Sequence, residues 1–368
     1  MNARVKFLLG ILALTAGCHK SNVDQKDLRD FVQVNLVSND AKFMPARLDN
    51  TLLNSWGIAW NPAGVPWINA NHMGISEVFT AEGAISRQPV NIPTPTDSIG
   101  GPATGIVLAA GKGFKLPNGG GAVFLFVGED GILSGWNPPA GNNAMVVRDL
   151  SAASSFKGLA IGSWGGNNYI YATDFKRAKI VVWDTNFTRV SMPFYDPQIP
   201  HGYSPFGIQA VGNWLVVTYA KVGDDGDDVQ GPGNGFVDIF GLDGHFISRL
   251  ATRGPLNSPW GITAVGGAVL DANDIGEGDH GKGYGHSSNS HPDSVLLIGN
   301  FGDGRINAFD FDGRWLGPLR AHNQPIEIEG LWSLSTPPPT SGVDQSRLYF
   351  TAGPNHEEDG LFGYLKKQ

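Results

Sequence analysis

Trp56-Gly57-Ile58-Ala59, Thr104-Gly105-Ile106-Val107, Lys157-Gly158-Leu159-Ala160, Phe206-Gly207-Ile208-Gln209, Trp260-Gly261-Ile262-Thr263 and Glu329-Gly330-Leu331-Trp332 are six versions of one phrase, a glycine followed by apolar residues. The glycines are 48, 53, 49, 54 and 69 residues apart, so the unit is about 50 residues long. Each copy opens the same succession of short apolar runs. After Gly105–Ala109 come Val123–Val127, Ile132–Trp136 and Ala144–Arg148. After Gly158–Gly162 come Tyr169–Thr173, Lys179–Asp184 and Arg189–Met192. The third and fourth runs are joined by tight polar turns such as Leu242-Asp243-Gly244 and Phe311-Asp312-Gly313. Asp-Gly between apolar runs marks a hairpin. Four strands per unit of this length is a propeller blade, and six units predict an all-β, six-bladed β-propeller with four-stranded blades.

The sixth unit is one strand short: Gly330–Leu334, Arg347–Thr351 and Gly360–Leu365 exhaust the chain. Phe31–Val37, Phe-Val-Gln-Val-Asn-Leu-Val, supplies the missing outer strand. Closure by an N-terminal strand leaves no bare edge between the first and last blades. The 69-residue spacing reflects an insertion at 271–293 in blade five. The composition agrees with this reading. The 51 glycines, 24 prolines, 20 phenylalanines and 10 tryptophans, with 16% charged residues, fit many turns around an aromatic core. The net charge of −8 and the lack of a basic patch argue against nucleic acid as a partner.

The repeats resemble NHL-type propellers. The longer phrases Asn54-Ser55-Trp56-Gly57-Ile58-Ala59-Trp60-Asn61-Pro62, Gly131-Ile132-Leu133-Ser134-Gly135-Trp136-Asn137-Pro138 and Gly299-Asn300-Phe301-Gly302-Asp303-Gly304-Arg305-Ile306-Asn307-Ala308-Phe309-Asp310 resemble one uncharacterised bacterial propeller family. Many members of that family carry a PEP-CTERM sorting tail. The resemblance covers residues 31 to 365. It implies the fold and an exported location, and no established reaction. This chain ends Tyr364-Leu365-Lys366-Lys367-Gln368, without a sorting tail.

The N-terminus carries its own signal. Arg4 and Lys6 precede ten apolar residues, Phe7–Ala16. A span needs roughly 20, so this reads as the core of a secretion signal. Leu14-Thr15-Ala16-Gly17-Cys18 resembles the bacterial lipobox, with Thr15 departing from the usual Leu. Cys18 is the only cysteine of the chain, which excludes intrachain disulfides and cysteine nucleophiles. Residues 1–17 are thus expected to be a lipoprotein signal peptide, Cys18 the lipidated residue, and 18–30 a linker to a single propeller domain, 31–365. Lipidation predicts a membrane-anchored protein of the cell envelope. The absence of Asp after Cys18, by resemblance to the Gram-negative sorting rule, points to the outer membrane, facing periplasm or cell surface. A monomer is expected.

Propellers gather ligands where the starts of the innermost strands and the ends of the second strands meet at one mouth of the channel. The residues before the six glycines, Trp56, Thr104, Lys157, Phe206, Trp260 and Glu329, are expected to ring it. Asn69, Asn71, His72, Glu129, Asp130, Asp174, Tyr219, Lys221, Asn300, Asn355 and His356 join from the second-strand ends. Propeller-fold metal-dependent lactonases carry Asp or Asn at several glycine-preceding positions, with a Glu nearby. Three aromatics, a Thr, a Lys and one Glu leave too few oxygens for such a hard cation. Lys157 and Glu329 are three blades apart and are expected to pair across the channel, while Trp56, Phe206 and Trp260 either plug it or stack on a sugar or aromatic ligand. Two loops remain open. Asp224, Asp225, Asp227 and Asp228 form either a structural calcium (Ca2+) loop or a solvated acidic turn. The stretch 271–293, with Asp279, His280, His286 and His291, is either a zinc or copper site or a polar loop. No Gly-x-Ser-x-Gly elbow or phosphate-binding loop occurs. The composite expectation is a lipid-anchored module that binds a glycan, peptide or envelope protein. The competing one is a metal-assisted hydrolase or lyase.

Overall fold

A computed structural model describes residues 27–270 and 294–368. It contains six antiparallel sheets arranged as a six-bladed propeller. Blade one is Ser55–Trp60, Pro66–Ala70, Ile75–Phe79 and Ile85–Asn91, running from the innermost strand outwards. Blade two is Ala103–Leu108, Phe124–Gly128, Ile132–Trp136 and Met145–Asp149. Blade three is Phe156–Trp164, Asn167–Asp174, Lys179–Trp183 and Arg189–Val190. Blade four is Tyr203–Val211, Trp214–Lys221, Phe236–Gly241 and Phe246–Thr252. Blade five is Pro259–Val265, Val295–Asn300, Ile306–Phe309 and Trp315–Pro318. The predicted cores of the strands match the observed ones, with ends shifted by one or two residues.

Blade six closes the ring as expected. Leu331–Ser335, Arg347–Ala352 and Leu361–Lys367 are completed by Phe31–Ser38, which pairs antiparallel with Leu361–Lys367 from Phe31 opposite Lys367 to Ser38 opposite Leu361. A short strand, Arg47–Leu48, adds parallel to its far side. Ser38 Oγ donates to the Gly360 carbonyl at 2.7 Å and fixes the top of that pair.

The inner strands meet through glycine. A Cβ on Gly57 would lie 2.3 Å from the Thr104 carbonyl oxygen; on Gly207, 2.2 Å from that of Trp260; and on Gly261, 2.7 Å from that of Trp332. Gly57, Gly158, Gly207 and Gly261 thus each press onto the residue before the equivalent position of the next blade, and Gly105 onto Gly158 and Leu159. This contact corrects the register of the sixth copy. The carbonyl that faces Gly261 belongs to Trp332, and Ser333 closes the circle by donating its hydroxyl to the Trp56 carbonyl at 2.8 Å. The sixth phrase is therefore Trp332-Ser333-Leu334-Ser335, with serine where the other five have glycine. Glu329-Gly330 lies three residues upstream, in the loop that enters the blade.

The meander gives the molecule two distinct ends. The near end, called the upper mouth, collects the starts of inner strands and the loops between second and third strands. The far end collects the hairpins between first and second strands and those between third and outer strands. The residues 1–26 and 271–293, including Cys18, Asp279, His280, His286 and His291, lie outside the described residues. Their signal, lipid and metal expectations have no geometry here. No described helix is long and apolar enough to cross a membrane.

Candidate functional site at the upper mouth

Aromatic side chains fill the channel below the upper mouth. Trp332 is sandwiched between Trp56, at 3.6 Å between ring centroids, and Phe301, at 3.9 Å. Phe206 and Trp260 meet its edges at 5.9 and 6.0 Å. Trp56, Phe206 and Trp332 are buried. They form a plug, so the alternative of Trp56 and Phe206 as an open stacking surface is corrected: their faces are spent on each other. Trp260 is half-buried and donates its indole N–H to the Lys157 carbonyl at 3.1 Å. Beyond the plug, a cavity of about 160 Å³ is walled by one aliphatic residue from each blade: Ile58, Ile106, Leu159, Ile208, Ile262 and Leu334.

Lys157 stands on the plug. Its side chain is 5% exposed, and its ammonium lies 5.3 Å from the Trp56 ring centre and 5.9 Å from that of Phe175. Such a cation cannot be buried alone. It pairs with Glu129 Oε1 at 2.5 Å and Asp227 Oδ1 at 3.0 Å. Burial works against its charge, but the two carboxylates outweigh that and hold the ammonium above the usual lysine range. The expected Lys157–Glu329 pair is thus corrected. Glu329 is exposed, and its Oε1 accepts from the Asn355 backbone N–H at 2.9 Å. Being upstream of the true sixth phrase, it lies outside the inner ring.

Glu357 faces the same mouth. Asn355, His356 and Glu357 are three consecutive non-glycine residues in the left-handed region, with φ of 58°, 54° and 69°. Such a conformation costs about 1–2 kcal/mol per residue for most side chains, and outliers of this kind gather at functional sites. Glu357 Oε2 accepts from Asn54 Nδ2 at 2.7 Å. Asn54, itself left-handed at φ 45°, also takes the Trp332 indole N–H on its Oδ1 at 2.8 Å and lies 3.5 Å from His72 Nε2. The Glu357 carboxyl is pushed up to about 7 by burial and then by the charge of Glu129, against the Asn54 hydrogen bond and Lys157. Burial also raises the Asp228 carboxyl, and Lys157 opposes it. Glu129 is braced by Asn71, whose Nδ2 donates to Oε2 at 3.0 Å.

The mouth therefore unites Lys157, Glu129, Asn71 and His72 of the expected set with Asn54, Asp227, Asp228 and Glu357. The other expected residues have different roles. Thr104 is buried, with its hydroxyl on the Val127 and Phe156 carbonyls. Asn69 binds the Thr104 carbonyl, and Asn300 the Pro255 carbonyl and Asp303. Asp174 is buried 3.9 Å from Arg177. Tyr219 is buried in the blade, Asp130 turns its Oδ1 to the Ile132 backbone, and Lys221, Asn355 and His356 are exposed. The calcium alternative for Asp224, Asp225, Asp227 and Asp228 finds no common centre. Asp227 is drawn to Lys157, Asp225 Oδ1 caps the Asp227 backbone N–H at 3.2 Å, and Asp224 is exposed. Among the described residues no group of three or more His, Cys, Asp or Glu side chains is arranged to hold a metal ion.

Asn54 and Glu357 escaped the sequence reading. The signal that reaches Glu357 is positional: it falls in the loop between second and third strands of blade six, the same station as Glu129 in blade two and Asp227 in blade four.

No protein-family model matches the chain. Among solved structures it is similar to one titled "Streptogramin B lyase structure", at 12% identity and a TM-score of 0.51, over 92% of this chain and 97% of that one. At that identity the likeness shows the propeller fold alone. Two relatives come from Acanthamoeba polyphaga mimivirus. "Uncharacterized protein L690" is 30% identical over 350 residues, 91% of this chain and 86% of the relative. "Uncharacterized protein R648" is 30% identical over 353 residues, 90% of this chain and 79% of the relative. These relatives are viral, so of the expected resemblance it is the propeller architecture that stands. The chain belongs to the β-propeller family that includes these two mimivirus proteins.

Proposed function

We propose that this chain is a recognition module, exported and held at a membrane by a lipid on Cys18, and that its upper mouth takes a ligand with a cationic group, such as a basic peptide side chain or an amine. One observation carries the reading. Four carboxylates from three blades, Glu129, Asp227, Asp228 and Glu357, surround a single buried ammonium, Lys157. Lys157 satisfies two of them and leaves the mouth anionic. Burial and then repulsion by Glu129 push the Glu357 carboxyl up to about 7, and a second cation would offset both by favouring its ionised form. In the aromatic plug beneath, Trp56, Phe206 and Trp332 are buried against one another. The net acidity of the chain supports the same ligand sign.

The competing reading is a hydrolase or lyase. It is favoured by the Glu357 carboxyl near 7, which suits a general acid or base at neutral pH. The solved likeness titled a streptogramin B lyase adds fold but no chemistry. A metal-assisted version lacks a donor set among the described residues, since Glu129 and Asp227 are committed to Lys157.

The test is calorimetric titration with lysine-rich, arginine-rich, neutral and acidic peptides at pH 6 and pH 8. Binding is expected for the basic peptides alone. It should tighten with pH, as Glu357 loses its proton, and weaken about tenfold in Glu357→Gln, roughly 1.4 kcal/mol. Equal affinity for acidic and basic peptides would remove the cation reading. Turnover of a screened ester or lactone that vanishes in Glu357→Gln would favour the enzyme.

A further inference from the structure

Blade four holds a second cluster of charges, outside the mouth. Arg249, on its outer strand, is the register partner of Asp238 on the third strand. Arg249 Nε donates to Asp238 Oδ1, and its Nη2 to Asp196 Oδ2 on the connection that arrives from blade three. Asp238 is fully buried and Asp196 is 7% exposed. The guanidinium lies 4.9 Å from the Phe236 ring centre, and the exposed Arg253 reaches the same ring at 5.5 Å. Tyr219, on the second strand, stays neutral: burial first, and then the charges of Asp238 and Asp196, hold its phenol well above the usual range.

Two carboxyls thus meet one guanidinium, which is always charged. Asp238 Oδ2 is buried and has no hydrogen-bond partner among the described residues. A second negative charge there has nothing to answer it, so the group is neutral only while Asp238 keeps a proton. Burial pushes the Asp238 carboxyl up to about 7, with Asp196 adding to the rise and Arg249 pulling against both. The unfolded chain releases this proton near 3.8 and the folded chain near 7. The stabilisation is therefore complete below 3.8 and is lost as pH rises through about 7.

The strain of that loss falls on one segment. Asp238 is fixed in a strand paired on both sides, opposite Val217 and Arg249. Asp196 is the only buried residue of the connection 191–202. The backbone bonds of that connection are local, from Phe194 N–H to the Met192 carbonyl and from Ile199 N–H to the Asp196 carbonyl, until Gly202. The Gly202 carbonyl accepts from Val222 N–H at 2.7 Å. Val222 is the base of the hairpin that bears Asp227 and Asp228, closed by its bridge to Asp228 and by Gly223 N–H on the Asp227 carbonyl at 2.7 Å.

We infer that Asp196, Arg249 and Asp238 form a proton-operated latch. With the proton in place, Asp196 fastens the connection 191–202 to blade four; without it, the connection is released and the hairpin bearing Asp227 and Asp228 loses its support at Gly202. The latch thereby regulates how firmly the mouth is built, whichever ligand the mouth takes.

Hydrogen exchange of the full chain, read by mass spectrometry and corrected for the base-catalysed intrinsic rate, tests it. In the wild type, protection of segment 194–202 and of the Val222 and Gly223 amides is expected to fall about tenfold from pH 6 to pH 8.5, with Phe124–Gly128 of blade two unchanged. Asp238→Asn leaves one carboxylate for one guanidinium and is expected to hold protection at its pH 6 level throughout. Asp196→Asn makes the same one-to-one pair from the other side and is expected to abolish the pH response, which serves if Asp238→Asn does not fold. Glu357 titrates over the same span and is present in both variants, so a response that survives them arises elsewhere and overturns the latch. Equal protection of the wild type at the two pH values overturns it as well.

Discussion

Glu357 shows how a single side chain can be costly to the fold and useful to a site. Its folded carboxyl titrates near 7 against an ordinary value of 4.5, with burial as the main cause and Glu129 as the second. The folded chain therefore keeps a proton that the unfolded chain has already released between those two pH values. Stability from this group is full below about 4.5 and is lost as pH rises to about 7. Above that, an ionised carboxylate sits half-buried beside Glu129 and Asp228. Glu357→Gln preserves an acceptor for Asn54 and removes the charge. It is expected to raise the unfolding free energy by about 1–3 kcal/mol at pH 8 and to change it little at pH 4.5. Urea denaturation at the two pH values measures the difference. A loss of stability at pH 8 would mean that the ionised Asn54–Glu357 contact outweighs burial. The charge that costs stability at pH 8 is the charge an incoming cation would meet, which is why stability and ligand affinity should move in opposite directions at this position.

Among the elements, the inner strands decide how tightly the blades meet. The obstacle facing a Cβ at Gly57 is a carbonyl oxygen of the neighbouring strand, 2.3 Å away, with Ile106 Cγ2 at 3.1 Å. Backbone cannot step aside as a flexible side chain would. Gly57→Ala is expected to cost about 1–3 kcal/mol. Ser333→Ala, at the equivalent point of blade six, loses one hydrogen bond to the Trp56 carbonyl and is expected to cost about 1 kcal/mol. Thermal melts of the two variants test the ranking, and a harmless Gly57→Ala would show that the inner strands are not in the close contact described. The pair also marks how far the sequence can be read. Six apolar phrases, period-two strands and Asp-Gly turns are local signals, and they deliver blade number and strand order. Gly244 and Gly313 adopt the left-handed φ, 84° and 87°, that such turns require. The register of blade six was not local. Glu329-Gly330-Leu331 and Trp332-Ser333-Leu334 both fit the phrase, and the choice rests on contacts with Gly261 and Trp56, far off in sequence. The mouth failed for a related reason. Lys157 was legible as a mouth residue, but its partners come from loops of blades two and four, and Glu357 reaches the site through a left-handed turn that no local pattern announces.

For the whole molecule, everything depends on one strand. A ring of blades has no free edge only while Phe31–Ser38 covers Leu361–Lys367. That cover is reinforced at its upper end, where Lys42 pairs with Asp359 at 2.5 Å and Asn39 donates to the same carboxylate at 2.8 Å. A chain beginning at residue 40 would expose the backbone edge of Leu361–Lys367 together with the buried Phe31, Leu36 and Val37 contacts of blade six. It is expected to lose its single cooperative melt and to associate, as read by size-exclusion chromatography. A synthetic peptide covering 27–49 should restore the elution volume of the full chain by adding back the strand in trans. An unaltered melt and a monomeric profile for the truncated chain would show that blade six stands without its outer strand. If the proposed lipid at Cys18 is present, this strand also carries the mechanical load, because a pull on the tether passes through the pinned Asp27–Asp30 segment to Phe31 at the end of the closing pair. The strand lies antiparallel to Leu361–Lys367 and is paired on both sides of a bulge at Leu36, so a pull along it shears several hydrogen bonds at once instead of peeling them one by one. A membrane anchor joined to the closing strand is then compatible with a closed ring, whereas one joined to the third strand through the C-terminus would load the same pair from the opposite side and leave the N-terminal edge unsecured.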